Sequence, residues 1–172
     1  MNLLHDVESG NRDEMNVIIE IPKGSKNKYE IDKKTGLIAL DRAMHSSQDY
    51  PFDYGFVPQT LWDDGDALDV VVLTTYPLVP GILVRVRPVA IFNMIDGGES
   101  DAKIIAVPTD DPRWKEVVDL GTVNKHTIKE IRHFFETYKQ IQNKEVVIES
   151  VEGVDKAREA FERAVSLYKS SK

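Results

Sequence analysis

Short segments rich in β-branched residues fill the first part of the chain, and turn sequences such as KKTG, YPLVPG and DGGE separate them. Many short strands of this kind predict a small sheet that curls on itself or closes into a barrel. The predicted strands are Asn16–Ile21, Lys28–Ile31, Leu37–Leu40, Tyr54–Val57, Asp69–Leu73, Ile82–Val86, Val89–Ile95 and Lys103–Val107.

The last part of the chain has helical periodicity instead. Apolar residues recur at helical spacing in Asn124–Ile141 and in Val154–Tyr168, so both segments are predicted to be amphipathic helices. Thr127 and Glu130 predict a capping box near the start of the first helix. Strands followed by helices predict an α+β fold, in which the two helices pack outside the small sheet or barrel.

The composition limits the domain count and the classes of site. A chain of 172 residues fits one domain, so residues 1–172 are expected to fold together. The absence of cysteine excludes disulfide scaffolds, thiolate zinc sites and cysteine nucleophiles. No signal peptide or membrane span is visible, so we expect a cytoplasmic protein with no membrane partner. The net charge of −7 argues against nucleic-acid binding, because it repels phosphates.

The segment WDDGDALD carries four aspartates within seven positions: Asp63, Asp64, Asp66 and Asp69. Carboxylates this close repel one another unless solvent or cations lie between them, and oxygen-only ligands suit hard ions such as Mg²⁺ or Mn²⁺. A solvated acidic turn is the alternative, but the apolar strand that follows favours a metal site. A calcium-binding EF-hand does not fit, because the glycine and the final glutamate of that loop are out of register.

A second acidic group lies in IDGGESDAK and consists of Asp96, Glu99 and Asp101, followed by Lys103. Such a group between two predicted strands is typical of an ordinary hairpin loop. It becomes part of a metal site only if folding brings it beside the first acidic group, which the sequence leaves open.

Several single polar residues have a structural and a functional interpretation. Glu20 interrupts an apolar strand, and an edge strand that faces water is slightly favoured for it. Lys28 and Glu30 share one strand face, where an ion-pair ladder or a phosphate site would explain them equally. Structural or solvent roles are favoured for residues taken singly; these are Arg42, Tyr50, Tyr54, and Lys139, which is expected to snorkel from the edge of the helical stripe.

Taken together, several stretches resemble the soluble family I inorganic pyrophosphatases. They are VIIEIPKG, NKYEID, Asp41-Arg42, YPFDYGFVPQTL, DGDALDVVVL, PLVPG, RPV, DAKIIAVP and HFFETYK. The motifs DGD-x-x-D and DYGF in this order are highly specific, and the similarity extends from about Glu20 to Lys139. The chain departs from the family pattern at Ala67, where many relatives have proline, and at Gln140, which is often acidic.

The resemblance implies a five-stranded OB-like β-barrel with helices outside, and it implies a site. Its metal ligands would be Asp64, Asp66, Asp69, Asp96 and Asp101. Its phosphate contacts would come from Lys28, Arg42, Tyr54, Lys103, Tyr138 and Lys139. Glu20, Glu30 and Tyr50 would support them from nearby.

The activity implied by the resemblance is Mg²⁺-dependent hydrolysis of pyrophosphate to two orthophosphates. Asp66 would accept the proton of a metal-activated water, while Arg42 and the lysines would stabilise charge on the phosphates. One alternative is a metal-dependent phosphohydrolase that acts on nucleotides or phosphoesters. Another is an OB-type module for single-stranded nucleic acid, which fits poorly because its groove would be acidic.

The resemblance also implies a homo-oligomer, with a hexamer expected. His126 and His133 share one side of the first predicted helix, roughly opposite its apolar stripe. A face exposed to solvent explains this side as well as a contact between subunits does.

Overall fold

The computed structural model describes residues 1–172. Its strands are β1 (Met15–Ile21), β2 (Asn27–Ile31), β3 (Ile38–Ala43), β4 (Asp53–Phe56), β5 (Asp69–Val72), β6 (Leu83–Asp96), β7 (Glu99–Pro108) and β8 (Val146–Gly153). Its helices are α1 (Lys125–Thr137) and α2 (Val154–Ser170), with single 3₁₀ turns at Pro112–Trp114, Leu120–Thr122 and Gln140–Gln142. Neither helix is apolar enough over a sufficient length to cross a membrane.

Five strands close into a ring. β1 pairs with β4, β4 with β5, β5 with β7 and β7 with β6, and β6 returns to pair with β1. Within the ring only the β5–β7 pairing is parallel. β8 lies outside the ring and also pairs with β6. Because β6 is 14 residues long, it can pair with β1, β7 and β8. The ring and the outer helices confirm the expected α+β fold with a five-stranded, OB-like barrel.

Each face of the sheet builds its own hydrophobic cluster, because side chains alternate along a strand. Val70 of β5 belongs to the cluster that α2 covers with Phe161. Its neighbour Val71 belongs to the cluster that α1 covers with Phe135, and aromatic rings dominate that second cluster. The two helices therefore pack against opposite faces of the strands, and the polar end of β5 lies beside the aromatic cluster.

The hairpin of β2 and β3 stands apart from the ring as a two-stranded ribbon. Its Ile31 N–H donates a 2.7 Å hydrogen bond to the Glu20 carboxylate of β1. Glu20 is only 5% exposed, and β1 has neighbours on both sides. The expectation that Glu20 faces water from an edge strand is therefore wrong. The buried carboxylate instead ties the ribbon to the barrel.

The first predicted helix begins and ends differently from the prediction. Asn124 caps α1 by accepting from the backbone N–H groups of His126 and Thr127, so the predicted capping box of Thr127 and Glu130 does not form. The helix ends at Thr137 rather than Ile141. Tyr138 and Lys139 therefore lie at the irregular end of the helix, where they can turn toward the barrel.

Two strand predictions also differ. β8 was not predicted, although Val146, Ile148 and Val151 follow strand-like spacing in part. The predicted strands Ile82–Val86 and Val89–Ile95 are one strand, β6. Pro88 lies at a shift in the register with β7, which is a position where the missing N–H of proline is tolerated.

Candidate active site

The parallel pairing of β5 and β7 brings distant acidic residues together. Asp69 opens β5, and its register partner on β7 is Lys103. Asp101 lies two residues before Lys103 and so shares its face of the strand. Asp64 arrives from the loop before β5, and one carboxylate oxygen from each of Asp64, Asp69 and Asp101 lies within 4.8 Å of the others. Folding thus brings the second acidic group, through Asp101, beside the first.

A buried lysine contacts this three-aspartate group. Lys103 is 4% exposed, and its Nζ donates to Asp69 at 2.6 Å and to the Tyr54 hydroxyl at 2.7 Å. Burial lowers the pKa of Lys103, but the charge of Asp69 and its neighbours outweighs burial and raises the pKa well above its usual value. Burial raises the pKa of Tyr54 as well, so its hydroxyl stays neutral.

The three-aspartate group keeps an excess of negative charge. Burial raises the pKa of Asp64 to about 6, and it raises the pKa of Asp69 to about 6 although Lys103 lowers it. Lys103 Nζ lies 2.8 Å from Asp101 Oδ1, but outside hydrogen-bonding geometry, so this buried oxygen has no donor. Crowded carboxylate oxygens with an unsatisfied member fit a hard divalent cation.

Asp66 is not part of the three-aspartate group. Its side chain is 57% exposed, and Oδ1 lies 2.5 Å from Lys33 Nζ. Lys33 also donates to the Gly65 carbonyl at 3.0 Å, while the Asp66 N–H donates to Asp64 Oδ1 at 3.0 Å. Sequence reasoning missed Lys33, because it stands in an ordinary turn and only the ribbon's position brings it to the aspartate loop.

Asp96 also lies outside the three-aspartate group and is paired with Lys139. The Lys139 Nζ and Asp96 Oδ2 atoms are 2.5 Å apart, and both side chains are largely buried. The expectation of a lysine snorkelling into solvent is therefore wrong. Lys139 also lies 5.2 Å from the centre of the Tyr138 ring, and burial raises the pKa of Tyr138.

The ribbon contributes a second set of charges. Lys28 Nζ lies 2.8 Å from Glu30 and 3.4 Å from Asp41, and Arg42 lies 2.5 Å from Asp41. Of these pairs only Lys28–Asp41 crosses between the strands, so the ion-pair ladder considered for this face is present in part. Burial raises the pKa of Asp41, but Lys28 and Arg42 outweigh burial and lower it. Asp41 had been noted only as part of the Asp-Arg motif.

Glu20 and Tyr50 stand behind the charged surface. Burial, and then the charge of Asp69, raises the pKa of Glu20 to about 8. Tyr50 is 2% exposed and its ring centre lies 4.8 Å from that of Phe134, so it packs in the aromatic cluster. Burial raises the pKa of Tyr50 too.

These residues surround one cavity of about 790 Å³ between the ribbon and the barrel. All the residues expected at the site line it except Arg42 and Tyr50, and Glu99 lines it too. The lining also includes Lys33, Lys34 and Asp41, which sequence reasoning had not assigned to a site. Carboxylates and cationic side chains alternate around the cavity, so it can hold a divalent cation beside a polyanion.

Known proteins resemble this chain in sequence and in fold. Residues 17–169 match the family model for inorganic pyrophosphatase. The chain is 48% identical over 166 residues to a soluble inorganic pyrophosphatase of Zea mays, covering 95% of this chain and 78% of that protein. It is 44% identical over 171 residues to an inorganic pyrophosphatase of Picrophilus torridus, covering 98% and 97%.

The solved structure of an inorganic pyrophosphatase from Thermus thermophilus superimposes with a TM-score of 0.94 at 41% identity, covering 98% of this chain and 99% of that one. A structure from Coxiella burnetii gives 0.90 at 41% identity, covering 94% and 99%. Both the sequence and the fold are therefore shared over almost the whole chain.

Proposed function

The chain belongs to the inorganic pyrophosphatase family and is a hydrolase of pyrophosphate, and on that premise we propose that it performs this reaction with Mg²⁺ in the cavity between ribbon and barrel. One observation carries the proposal: oxygens of Asp64, Asp69 and Asp101 converge to within 4.8 Å of one another, and Lys103 contacts the group. A divalent cation and a phosphate can be held side by side there.

The donor set suits Mg²⁺ better than a softer metal. The residues that line the cavity include neither histidine nor cysteine, and Mg²⁺ prefers one or two carboxylates together with substrate phosphates. A bound Mg²⁺ would neutralise phosphate charge and acidify the attacking water. Asp64, Asp69 and Asp101 would hold the ion directly. Asp66 and Asp96 would add oxygens once Lys33 and Lys139 release them.

The cationic side chains in and beside the cavity would bind the phosphates. Lys28 now pairs with Glu30 and Asp41, Arg42 with Asp41, and Lys139 with Asp96. Pyrophosphate offers each of them several charged oxygens, so exchange of partners is favourable. Lys103, Tyr54 and Tyr138 would donate from the buried side, since all three keep their protons. Charge that develops on the leaving phosphate is then met by fixed donors.

Asp66 is the proposed proton acceptor. Its side chain is exposed and pairs with the exposed Lys33, and its backbone N–H donates to Asp64 in the same turn. A carboxylate that stands next to the cation ligands, without being locked among them, can take a proton from water and return it to solvent. Glu20 and Glu30 would order the ribbon side of the cavity.

The test is release of orthophosphate, measured side by side from pyrophosphate, ATP and a phosphomonoester. We expect release from pyrophosphate with Mg²⁺ and loss of activity in excess EDTA. Equal activity with EDTA would contradict the metal and the mechanism together. Preference for ATP or the monoester would favour the broader phosphohydrolase.

We also propose that the chain assembles as a homo-oligomer, with a hexamer expected from the family. His126 and His133 are both exposed on α1, on the side away from the aromatic cluster. Light scattering at micromolar concentration should give a multiple of the 19.5 kDa chain mass, and replacement of His133 by aspartate should reduce it. A monomeric mass for the wild-type protein would reject this.

A further inference from the structure

The loop that carries Asp64 is closed on itself but exposed. The Trp62 N–H donates to the Asp66 carbonyl at 2.7 Å, and the Gly65 N–H donates to the Trp62 carbonyl at 3.0 Å. These bonds define the shape of the loop but do not fix where it sits. Because the carboxylates of Asp64, Asp69 and Asp101 repel one another, the loop is pushed away from the barrel unless something outside it holds it in place.

Helix α2 supplies one such hold. The Arg163 guanidinium lies 2.5 Å from Asp63 and 4.5 Å from the centre of the Trp62 ring. The Leu61 N–H, just before the loop, donates to the Ala164 carbonyl at 3.0 Å. One arginine thus contacts two consecutive loop residues by an ion pair and a cation–π contact, which restricts both position and orientation.

Trp62 also contacts the strand that carries Asp101. Its indole Nε1–H donates to Ser100 Oγ at 3.4 Å, and Ser100 immediately precedes Asp101 on β7. Trp62 therefore connects the loop that carries Asp64 to the strand that carries Asp101. None of the roles proposed above uses Trp62 or Arg163.

We propose that Trp62 and Arg163 are positioning residues for the divalent-cation site, and that they set the separation between Asp64 and Asp101. This inference rests on the proposed function. Mg²⁺ demands near-ideal octahedral geometry, so ligands that drift apart lose affinity even when each is still present. Groups that orient metal ligands from behind typically account for about 10- to 100-fold in affinity.

The experiment measures Mg²⁺ affinity by calorimetry on the full-length protein without substrate. We expect Arg163→Met to bind Mg²⁺ about 10- to 100-fold more weakly and Arg163→Lys, which keeps the charge, to recover most of that loss. At saturating Mg²⁺ the kcat of Arg163→Met should return close to the wild-type value, because no group that touches substrate has been removed.

A matched control is an arginine that pairs with the same helix from outside it. Arg12 pairs with Glu162, the neighbour of Arg163, at 3.1 Å, and the two arginine side chains are both 47% exposed. Arg12→Met removes an equivalent ion pair that does not reach the loop, so its Mg²⁺ affinity should equal that of the wild type.

Trp62→Phe tests the second hold separately, since it keeps a ring under Arg163 but removes the bond to Ser100. We expect weaker Mg²⁺ binding with an unchanged melting temperature in EDTA. Wild-type affinity in both Arg163→Met and Trp62→Phe would overturn the inference while leaving the proposed function intact. A wild-type protein that binds no Mg²⁺ would overturn both.

Discussion

One buried and one partly buried aspartate lie at opposite ends of the same pair of strands and have opposite surroundings. Asp53 opens β4 and faces Val72, while Asp69 opens β5 and faces Phe56. Asp53 is 0% exposed and the Asp69 side chain is 18% exposed. In the printed sequence the two residues look alike, since each begins a short apolar strand.

The Asp53 carboxylate is satisfied by neutral donors. It accepts from the Lys23 N–H at 3.0 Å, from the Leu78 N–H at 2.9 Å and from the Thr74 hydroxyl. These donors come from separate parts of the chain, so the carboxylate joins segments that the strands alone leave unconnected. Nothing about this end of the ladder calls for a cation.

Asp69 has the reverse situation. Lys103 is its cationic partner, but Asp64 and Asp101 crowd the same space, and burial raises the pKa of Asp69 to about 6. A buried carboxylate that has enough hydrogen-bond donors stabilises the fold, whereas a carboxylate crowded by other carboxylates favours binding of a cation. Burial alone does not separate the two cases; the neighbours do.

The largest expected effect is on kcat, and it concerns a third carboxylate, Asp66, which is exposed rather than buried. Asp66→Asn keeps the shape of the side chain and one oxygen but removes its basicity, so kcat should fall by about 10² to 10⁴ while the fold survives. Lys28→Ala is the comparison variant, because loss of a phosphate contact should raise KM as well. A folded Asp66→Asn that keeps most of its kcat would assign the proton to another acceptor.

Two substitutions, Asp64→Asn and Asp53→Asn, should distinguish a carboxylate that binds metal from one that stabilises the fold. Asp64→Asn should weaken Mg²⁺ binding by at least about 100-fold, since even groups behind the ligands account for about 10- to 100-fold. Its melting temperature in EDTA should not fall, because a repelling charge has been removed. Calorimetry and a thermal melt measure the two quantities on the same sample.

Asp53→Asn should do the opposite. The amide cannot accept from every donor that now reaches the carboxylate, and a buried donor left without an acceptor costs about 1 to 3 kcal/mol. For a chain of this size that lowers the melting temperature by roughly 2 to 12 °C, with Mg²⁺ affinity retained. If Asp53→Asn lost Mg²⁺ binding while folded, the contrast between the two ends of the ladder would fail.

The sequence predicts what is local and misses what depends on register. The aspartates of WDDGDALD predict a metal site because their crowding is visible in the chain itself. Asp101 joins them only through the parallel pairing of Asp69 with Lys103, which no local pattern specifies. Lys33 reaches Asp66 only because the ribbon stands over the barrel, so periodicity carried no signal for it.

The same distinction explains the errors in the fold. The sequence shows that Glu20 interrupts an apolar strand, but it does not show that β1 shifts its register with β4 between Ile19 and Ile21. Whether Glu20 meets water depends on the partners of β1, which the sequence does not show either. The position of Lys139 was predicted from the helical angle, yet α1 ends at Thr137, before it. The strands and helices themselves were mostly predictable, since their periodicities are local.

The last expected effect concerns the pH dependence of stability. Without metal, the folded protein holds Asp64 and Asp69 at a pKa of about 6 and Glu20 at about 8, all above their values in an unfolded chain. A carboxyl whose pKa is raised by folding contributes stability below its unfolded pKa and loses that contribution as pH rises through the folded pKa. The aspartates whose pKa values are lowered, such as Asp32 and Asp41, act only at more acidic pH, below about 4.

The free energy of unfolding in EDTA should therefore decline between about pH 5 and pH 8, by on the order of a few kcal/mol that come mainly from the deeply buried Glu20. The melting temperature in EDTA should fall with it. The ionisation of Glu20 is opposed by burial and by the charges of Asp69 and Glu30, and it is helped by the Ile31 N–H and by Lys28. Mg²⁺ bound beside it adds positive charge, so the difference between melts with Mg²⁺ and with EDTA should widen as pH rises. Glu20→Gln should flatten the decline in EDTA. If the melting temperature of the metal-free protein rose from pH 5 to pH 8, folding would not be raising the pKa values of these carboxyl groups. The contrast with Asp53 would then have no effect on stability.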